Sequence, residues 1–373
     1  MSAVIRIPGI AFLLILALAL AGCASVPPGN GKESPNSVAT PTLSLSQVNE
    51  LLKSAKTPQQ LGIEVQTVGQ SAGFRGMNEV SLAQSATVPL VELPTTASDP
   101  PSARYRVPFI LATVNGRENQ RVLLDSGSNR ALLGYSLAHN LNVPLIAGLD
   151  PVHAQGIGGQ GQVDAYWGIV GQVAVGGLEL RKMLALVAPD AEVLTYRRSF
   201  WGNAQIMILG VIGLRRLSYL SIDYLRGVAR FEVREPYVPD ADAKFVSAVS
   251  LRWEGDLPVV DAVLERTYPT SCVLDTGGDY GLFLPRAVGT QLGYWKPGWG
   301  SEATSHGIAG EAEGKGYLVH EVKVGGAIFR QVPAGTRTDG PEPIGGRVLL
   351  GNYELRRYRV TFDFKKNVVW LEQ

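Results

Sequence analysis

Leu123-Leu124-Asp125-Ser126-Gly127-Ser128 is the stretch on which the reading of this chain turns. An apolar run of the kind that forms a buried strand stops on a carboxylate, followed by a hydroxyl residue and a glycine. An isolated ionised carboxylate withdrawn from water is costly, so a strand that ends this way needs something to hold its charge. The same pattern returns at Val273-Leu274-Asp275-Thr276-Gly277-Gly278. Two such strand ends can satisfy each other by sharing one proton, and a proton shared by two carboxyls is the basis of an acid/base pair that activates water.

Around these two stretches the sequence repeats itself. Each is followed by an apolar run, Ala131-Leu132-Leu133 and Leu282-Phe283-Leu284. A glycine-rich turn comes next, Gly156-Ile157-Gly158-Gly159 and Gly307-Ile308-Ala309-Gly310. Strands then meet at Gly176-Gly177 and Gly325-Gly326, and an apolar pair plus glycine follows at Ile208-Leu209-Gly210 and Leu349-Leu350-Gly351. Each half closes on a strand–turn–strand, Ile222 to Phe231 and Phe362 to Leu371, with Asp223 and Asp363 as turn formers at the strand ends. Short strands punctuated by glycine turns predict a mainly β fold. The boundaries read as a first lobe at 105–233, a connector at 234–247 and a second lobe at 248–373.

The order of these motifs, twice over, resembles the retropepsin-like aspartic proteases, and the joined halves resemble a pepsin-like two-lobed enzyme. Retropepsins carry an apolar strand into Asp-Thr/Ser-Gly, a Gly-Ile-Gly-Gly flap, and a late apolar-apolar-glycine motif before a short helix. The corresponding segments here are Leu123 to Gly127, Gly156 to Gly159 and Ile208 to Leu214, and then Val273 to Gly277, Gly307 to Gly310 and Leu349 to Leu355. The resemblance implies two pseudo-symmetric β-barrel lobes. It implies that Asp125 and Asp275 are catalytic, with Ser126, Gly127, Ser128, Thr276 and Gly277 supporting their loops. It also implies that each late glycine motif threads beneath a catalytic loop, and that the glycine-rich turns close as flaps over an extended polypeptide. Such chemistry needs no cofactor and no metal. Gly278 departs from the pepsin-like pattern, because it lacks the hydroxyl that Ser128 keeps, although retropepsins have alanine there. The other reading of the same residues is a peptide- or envelope-binding protein that keeps the fold without turnover.

The 373-residue chain has a net charge of +1, which gives no basis for nucleic-acid binding. Residues 1–22 read as a targeting segment: Arg6, an apolar run from Ile10 to Leu20, then Leu20-Ala21-Gly22-Cys23. This end resembles a bacterial lipobox, which implies lipidation of Cys23 and attachment to a membrane. Ala24 after it favours the outer membrane, facing the periplasm, in a two-membrane bacterium. An ordinary secretory signal and a short anchor are the alternatives. Residues 23–43 read as a tether, and 44–104 as an N-terminal extension without clear architecture, opening on a helix within Leu45 to Leu61 capped by Ser46. With Cys23 lipidated, Cys272 has no partner for a disulfide and reads as a small core residue. Pairing of the two lobes within one chain implies a monomer.

Other patterns carry less. Gly156 to Gly161 spaces its glycines like a dinucleotide loop, but no helical segment follows. Gly69 to Gly73 fits a serine-hydrolase elbow without the apolar helix that should come next. His139, His153, His306 and His320 show no paired metal spacing. Tyr166 reads as a packing residue of a strand, and the aromatic stretches around Tyr196 to Trp201 and Tyr294 to Trp299 read as packed loops or contact surfaces.

Overall fold

The computed structural model describes residues 43–68, 71–75, 77–80, 84–93, 95, 104–154, 163–190, 205–296, 300–307, 310–338, 340 and 342–373. Residues 1–42, which hold the expected targeting segment, Cys23 and nearly all of the expected tether, lie outside the described residues, as do Gly156 to Gly161 and Tyr196 to Trp201.

The N-terminal extension folds onto the first half. Helices α1 (Leu45–Lys53) and α2 (Pro58–Leu61) split the single helix expected there, because Thr57 caps α2 and Pro58 occupies its first turn. The cap of α1 is Ser44, not Ser46. The Ser44 hydroxyl accepts the N–H of Gln47 while the Gln47 side chain accepts the N–H of Ser44. That reciprocal box satisfies two otherwise orphaned donors, which Ser46 inside the first turn cannot do. Strands β1 (Glu64–Val68) and β2 (Ser71–Arg75) form a hairpin rather than an elbow into a helix. Short strands β3 (Glu79–Val80) and β4 (Ala86–Pro89) follow.

The first half continues with β5 (Phe109–Val114), β6 (Arg117–Asp125), β7 (Ala131–Gly134), α3 (Tyr135–Asn140), β8 (Val152–Ala154), β9 (Val163–Val175), β10 (Leu178–Ala188), β11 (Met207–Gly210), α4 (Val211–Leu214), β12 (Tyr219–Asp223) and β13 (Val228–Glu232). The second half runs through β14 (Val246–Ser250), β15 (Arg252–Glu254), β16 (Leu257–Leu264), β17 (Tyr268–Asp275), β18 (Leu282–Phe283), α5 (Arg286–Gln291), β19 (Ser301–Gly307), β20 (Gly310–Val324), β21 (Ala327–Arg337), β22 (Val348–Gly351), α6 (Asn352–Leu355), β23 (Arg359–Asp363) and β24 (Val368–Glu372).

Pairing closes each half on itself. In the first, β5, β6, β11, β7, β10 and β9 are joined in turn and β9 returns to β5, which makes a six-stranded barrel. In the second, β16, β17, β22, β18, β21 and β20 close the same way. Closure leaves no free edge within the ring. The fold is thus mainly β, as the strand and turn pattern predicts, with two barrels of matching connectivity, as the family resemblance implies. Val122, Leu123 and Leu124 are all buried, and so are Val273 and Leu274. These runs are continuous rather than alternating because both faces of β6 and β17 are covered.

A third sheet, ordered β14-β24-β23-β12-β13-β4, bridges the halves. Its centre is the antiparallel pair β12–β23, with Ser221 opposite Thr361. Its outer strands are β4 on one side and β14 on the other, so residues 86–89 take the place in the first half that residues 246–250 take in the second.

Candidate active site

β6 and β17 each deliver an aspartate at their C-terminal ends, and the strand beneath each one fixes its height. β6 pairs in parallel with β11, placing Asp125 opposite Gly210, and β17 pairs in parallel with β22, placing Asp275 opposite Gly351. The two late glycines are required by close approach. A Cβ on Gly210 would stand 2.4 Å from the Arg130 carbonyl oxygen, and one on Gly351 would stand 2.2 Å from that of Tyr280. The residues after them donate into the loops above: Val211 N–H to the Ser128 carbonyl at 2.9 Å, and Asn352 N–H to the Gly278 carbonyl at 2.7 Å. Each late glycine motif therefore runs directly under an Asp-Ser/Thr-Gly turn.

The turns are locked to each other through two hydroxyls. The Thr276 hydroxyl accepts the N–H of Ser126 at 3.0 Å and donates to the Leu124 carbonyl at 2.8 Å. The Ser126 hydroxyl accepts the N–H of Thr276 at 3.0 Å and donates to the Leu274 carbonyl at 2.5 Å. All of these groups are buried, so each bond satisfies a main-chain group that has no water to turn to.

This exchange brings the carboxyls together. A Cβ on Gly127 would lie 2.5 Å from Asp275 Cγ, and one on Gly277 would lie 2.3 Å from Asp125 Cγ. Only glycine at those positions lets the opposite carboxyl approach. Each of these positions abuts the opposite carboxyl, so the two carboxyls are close neighbours, and neighbouring buried carboxyls cannot both ionise; they hold a proton between them. Asp125 Oδ1 also accepts the N–H groups of Gly127 (2.8 Å) and Ser128 (3.0 Å). Asp275 Oδ1 accepts those of Gly277 (3.0 Å) and Gly278 (3.1 Å). Asp275 Oδ2 accepts a third donor, the hydroxyl of Tyr280, at 2.5 Å.

Burial pushes the Asp125 carboxyl well above the usual carboxylate range, and the charge of Asp275 and the bond between them push it further. Burial also raises Asp275, but the hydroxyl of Tyr280, the bond from Asp125 and the two backbone N–H groups all favour its anion. The third donor favours the anion on Asp275, which leaves the one proton of the pair toward Asp125.

The remaining expected site residues fall as follows. Gly156, Ile157, Gly158, Gly159, Ile308 and Ala309 lie outside the described residues, and so does Cys23. Gly307 and Gly310 face each other across the end of the β19–β20 hairpin. Ser128 supports Asp125 through its N–H, while its hydroxyl turns away to the Arg130 carbonyl at 2.9 Å. Cys272 is a free, fully buried core residue whose thiol burial pushes up to about 12. Tyr166 packs near Tyr135, and Tyr294 stacks on Tyr317 within its own barrel. A cavity of about 410 Å³ lined by Glu265, Arg266, His320, Glu321, Arg330 and Gln331 sits at the hairpin end of β17, the end opposite Asp275. Tyr280 was not singled out by its sequence. The available signal was an aromatic between glycines, Gly277-Gly278-Asp279-Tyr280-Gly281, immediately after the second triplet.

Comparison with known proteins finds two likenesses. Residues 110–214, from β5 to α4, match the model of a family described as aspartyl protease. Among solved structures the chain is similar to a retropepsin-like aspartic protease from Rickettsia conorii, at 18% identity and a TM-score of 0.28, over 34% of this chain and 92% of that one. No curated protein matches. The matched span contains Asp125, and Asp275 enters through the strand order of the second half, which follows that of the first.

Proposed function

We propose that the chain is an aspartic endopeptidase in which Asp125 and Asp275 activate one water between them. The observation that carries this reading is the contact of two carboxyls from chain positions 125 and 275, each at the end of a buried strand and each cradled by backbone N–H groups. Ionised Asp275 takes a proton from the water as its oxygen attacks the peptide carbonyl carbon. Protonated Asp125 gives its proton to the carbonyl oxygen, and a tetrahedral diol results with no acyl-enzyme. Collapse of the diol breaks the C–N bond. The proton on Asp275 passes to the leaving nitrogen and a diol hydroxyl proton returns to Asp125, which restores the starting state.

An extended polypeptide is the substrate that fits hairpins such as β19–β20, since main chain pairs with strand edges and side chains fill alternating pockets. The mutual bonds of Ser126 and Thr276 support a site completed within one chain, hence an active monomer. The sequence at Leu20-Ala21-Gly22-Cys23 supports lipid attachment at Cys23 and a place on the outer membrane facing the periplasm. Loss of both lipid labelling and membrane association in Cys23→Ser is the expected result.

Cleavage of an unfolded protein tests the central reading. Asp125→Asn and Asp275→Asn should each lower turnover by about a thousandfold or more while leaving the circular dichroism spectrum unchanged. Undiminished cleavage in both variants would overturn it.

A further inference from the structure

We infer that Tyr280 is a positioning residue of the carboxyl pair, its hydroxyl replacing the one missing at Gly278 and fixing the negative charge on Asp275. The inference rests on the endopeptidase reading above and adds to it a residue outside both Asp-Ser/Thr-Gly motifs.

Three observations converge. The Tyr280 hydroxyl donates to Asp275 Oδ2 at 2.5 Å, while Oδ1 is already held by two backbone N–H groups. The Tyr280 ring lies against the α-carbon of Gly278. A Cβ there would stand 2.1 Å from the ring's Cε1, so the ring and a side chain at 278 exclude each other. That same Cβ would also stand 2.8 Å from Asp275 Oδ2, closer than a carbon can rest, so position 278 borders the very oxygen that Tyr280 reaches and has no room for a side chain while the ring is there. Glycine at 278 and tyrosine at 280 are therefore one exchange: the short route to the carboxylate is closed and a long, rigid one is opened.

The ring is held as firmly as its hydroxyl. It packs with Val259, Val273, Phe283 and Leu349, and the Tyr280 backbone carbonyl accepts the N–H of Tyr353. The groups around Asp275 and Tyr280 are Asp125 across the interface, Cys272 on β17, and Tyr224 after β12 with Arg356 beyond it. Burial and the charge of Asp275 push the Tyr280 hydroxyl well above its ordinary range, so it remains a donor wherever the pair titrates. A donor to the anion favours the anion, so Tyr280 lowers the first of the pair's two apparent ionisations.

The test is Tyr280→Phe, which keeps the ring that fills the space beside Gly278. The acidic limb of kcat/KM should move to higher pH by about one unit, and kcat near the acidic limb should fall about tenfold. A second readout needs no turnover: the ¹³Cγ titration of Asp275, assigned by its loss in Asp275→Asn, should shift in the same direction. An unmoved titration in Tyr280→Phe overturns the inference. Exchange is tested by Tyr280→Ala and Tyr280→Ala/Gly278→Ser, where the added serine should recover at least tenfold of the activity lost, and no recovery overturns the replacement. Failure of the endopeptidase reading is a separate result, recognised by full activity in the Asp→Asn variants.

Discussion

The two Asp-Ser/Thr-Gly loops share a backbone course and differ in where their hydroxyls go. After Asp125 the next available hydroxyl, Ser128, bonds to the Arg130 carbonyl. After Asp275 the position is Gly278, and the hydroxyl arrives from Tyr280 two residues later, on the carboxylate itself. The lesson extends beneath the loops. In α4, Val211 and Gly213 are apolar or small, and the Met183 side chain fills the space where a Cβ on Gly213 would stand. In α6 the matching residues are Asn352 and Glu354, both fully buried. Pseudo-symmetry fixes main-chain positions, while the polarity around each aspartate is set independently, and that is how like carboxyls acquire unlike acidities.

The strongest way to test the shared part of the comparison is to crowd it. Gly210→Ala and Gly351→Ala each place a Cβ within 2.4 Å of a backbone carbonyl oxygen in the loop above. No side-chain rearrangement relieves a clash with main chain, so each should cost about 4 kcal/mol or more, beyond ordinary overpacking. Urea unfolding measures it. Equal, large losses are expected, and a mild effect in either variant would mean that the two loops are not supported alike.

The interlocked hydroxyls come next. Ser126→Ala strands the Thr276 N–H and the Leu274 carbonyl, and Thr276→Ala strands the Ser126 N–H and the Leu124 carbonyl. Either should destabilise by about 2–3 kcal/mol. Because the two hydroxyls also lie 3.1 Å apart, the double variant should cost less than the sum. Strict additivity in denaturant melts would show that the turns are held separately.

Much of this was legible in the residues. Runs such as Leu123-Leu124-Asp125 announce a covered strand ending on a charge, and Ile208-Leu209-Gly210 repeats at Leu349-Leu350-Gly351 because both must pass under a loop. What escaped reading depends on chain curvature or on long-range pairing. Tyr280 reaches Asp275 only because the intervening loop folds back, and no spacing rule for helices or strands relates residues five apart in such a turn. β4 offers only Ala86-Thr87-Val88-Pro89, too short for a periodic signal, and its strand character comes from β13 beside it. The cap at Ser44 rather than Ser46 was present as Ser44-Leu45-Ser46-Gln47, a capping box in which either serine is a candidate until the partner glutamine is counted three residues on.

A smaller effect sharpens the contrast between the helices. Burial raises the Glu354 carboxyl to about 7, against the opposing pull of Arg357 and Arg356. A folded-state acid titrating above its unfolded value of 4.5 binds more protons in the native state. Its contribution is therefore intact below about pH 4.5 and is lost as pH rises toward 7. Glu354→Gln should remove that loss, stabilising the chain at pH 8 by on the order of 2 kcal/mol and leaving pH 4 nearly unchanged. A thermal melt at both pH values reads the difference, and the equivalent glycine of the first half, Gly213, offers no such dependence.

The smallest expected effect concerns Asn352, the counterpart of Val211. Its side-chain amide donates to the Arg106 carbonyl and, at 3.4 Å, to that of Tyr105, which ties the floor of the second loop to the chain entering the first barrel. Asn352→Val makes the second floor like the first and leaves those carbonyls without this donor. A bond between neutral groups contributes about 1 kcal/mol net, and valine, one heavy atom smaller than asparagine, leaves little empty space. Stability should fall by about that amount. The sharper expectation is for the pH profile: Asn352 donates to backbone rather than to either aspartate, so the limbs should stay where they are while Tyr280→Phe moves the acidic one. A shift of the acidic limb in Asn352→Val would mean that the asymmetry of the pair is set from below as well as from the side.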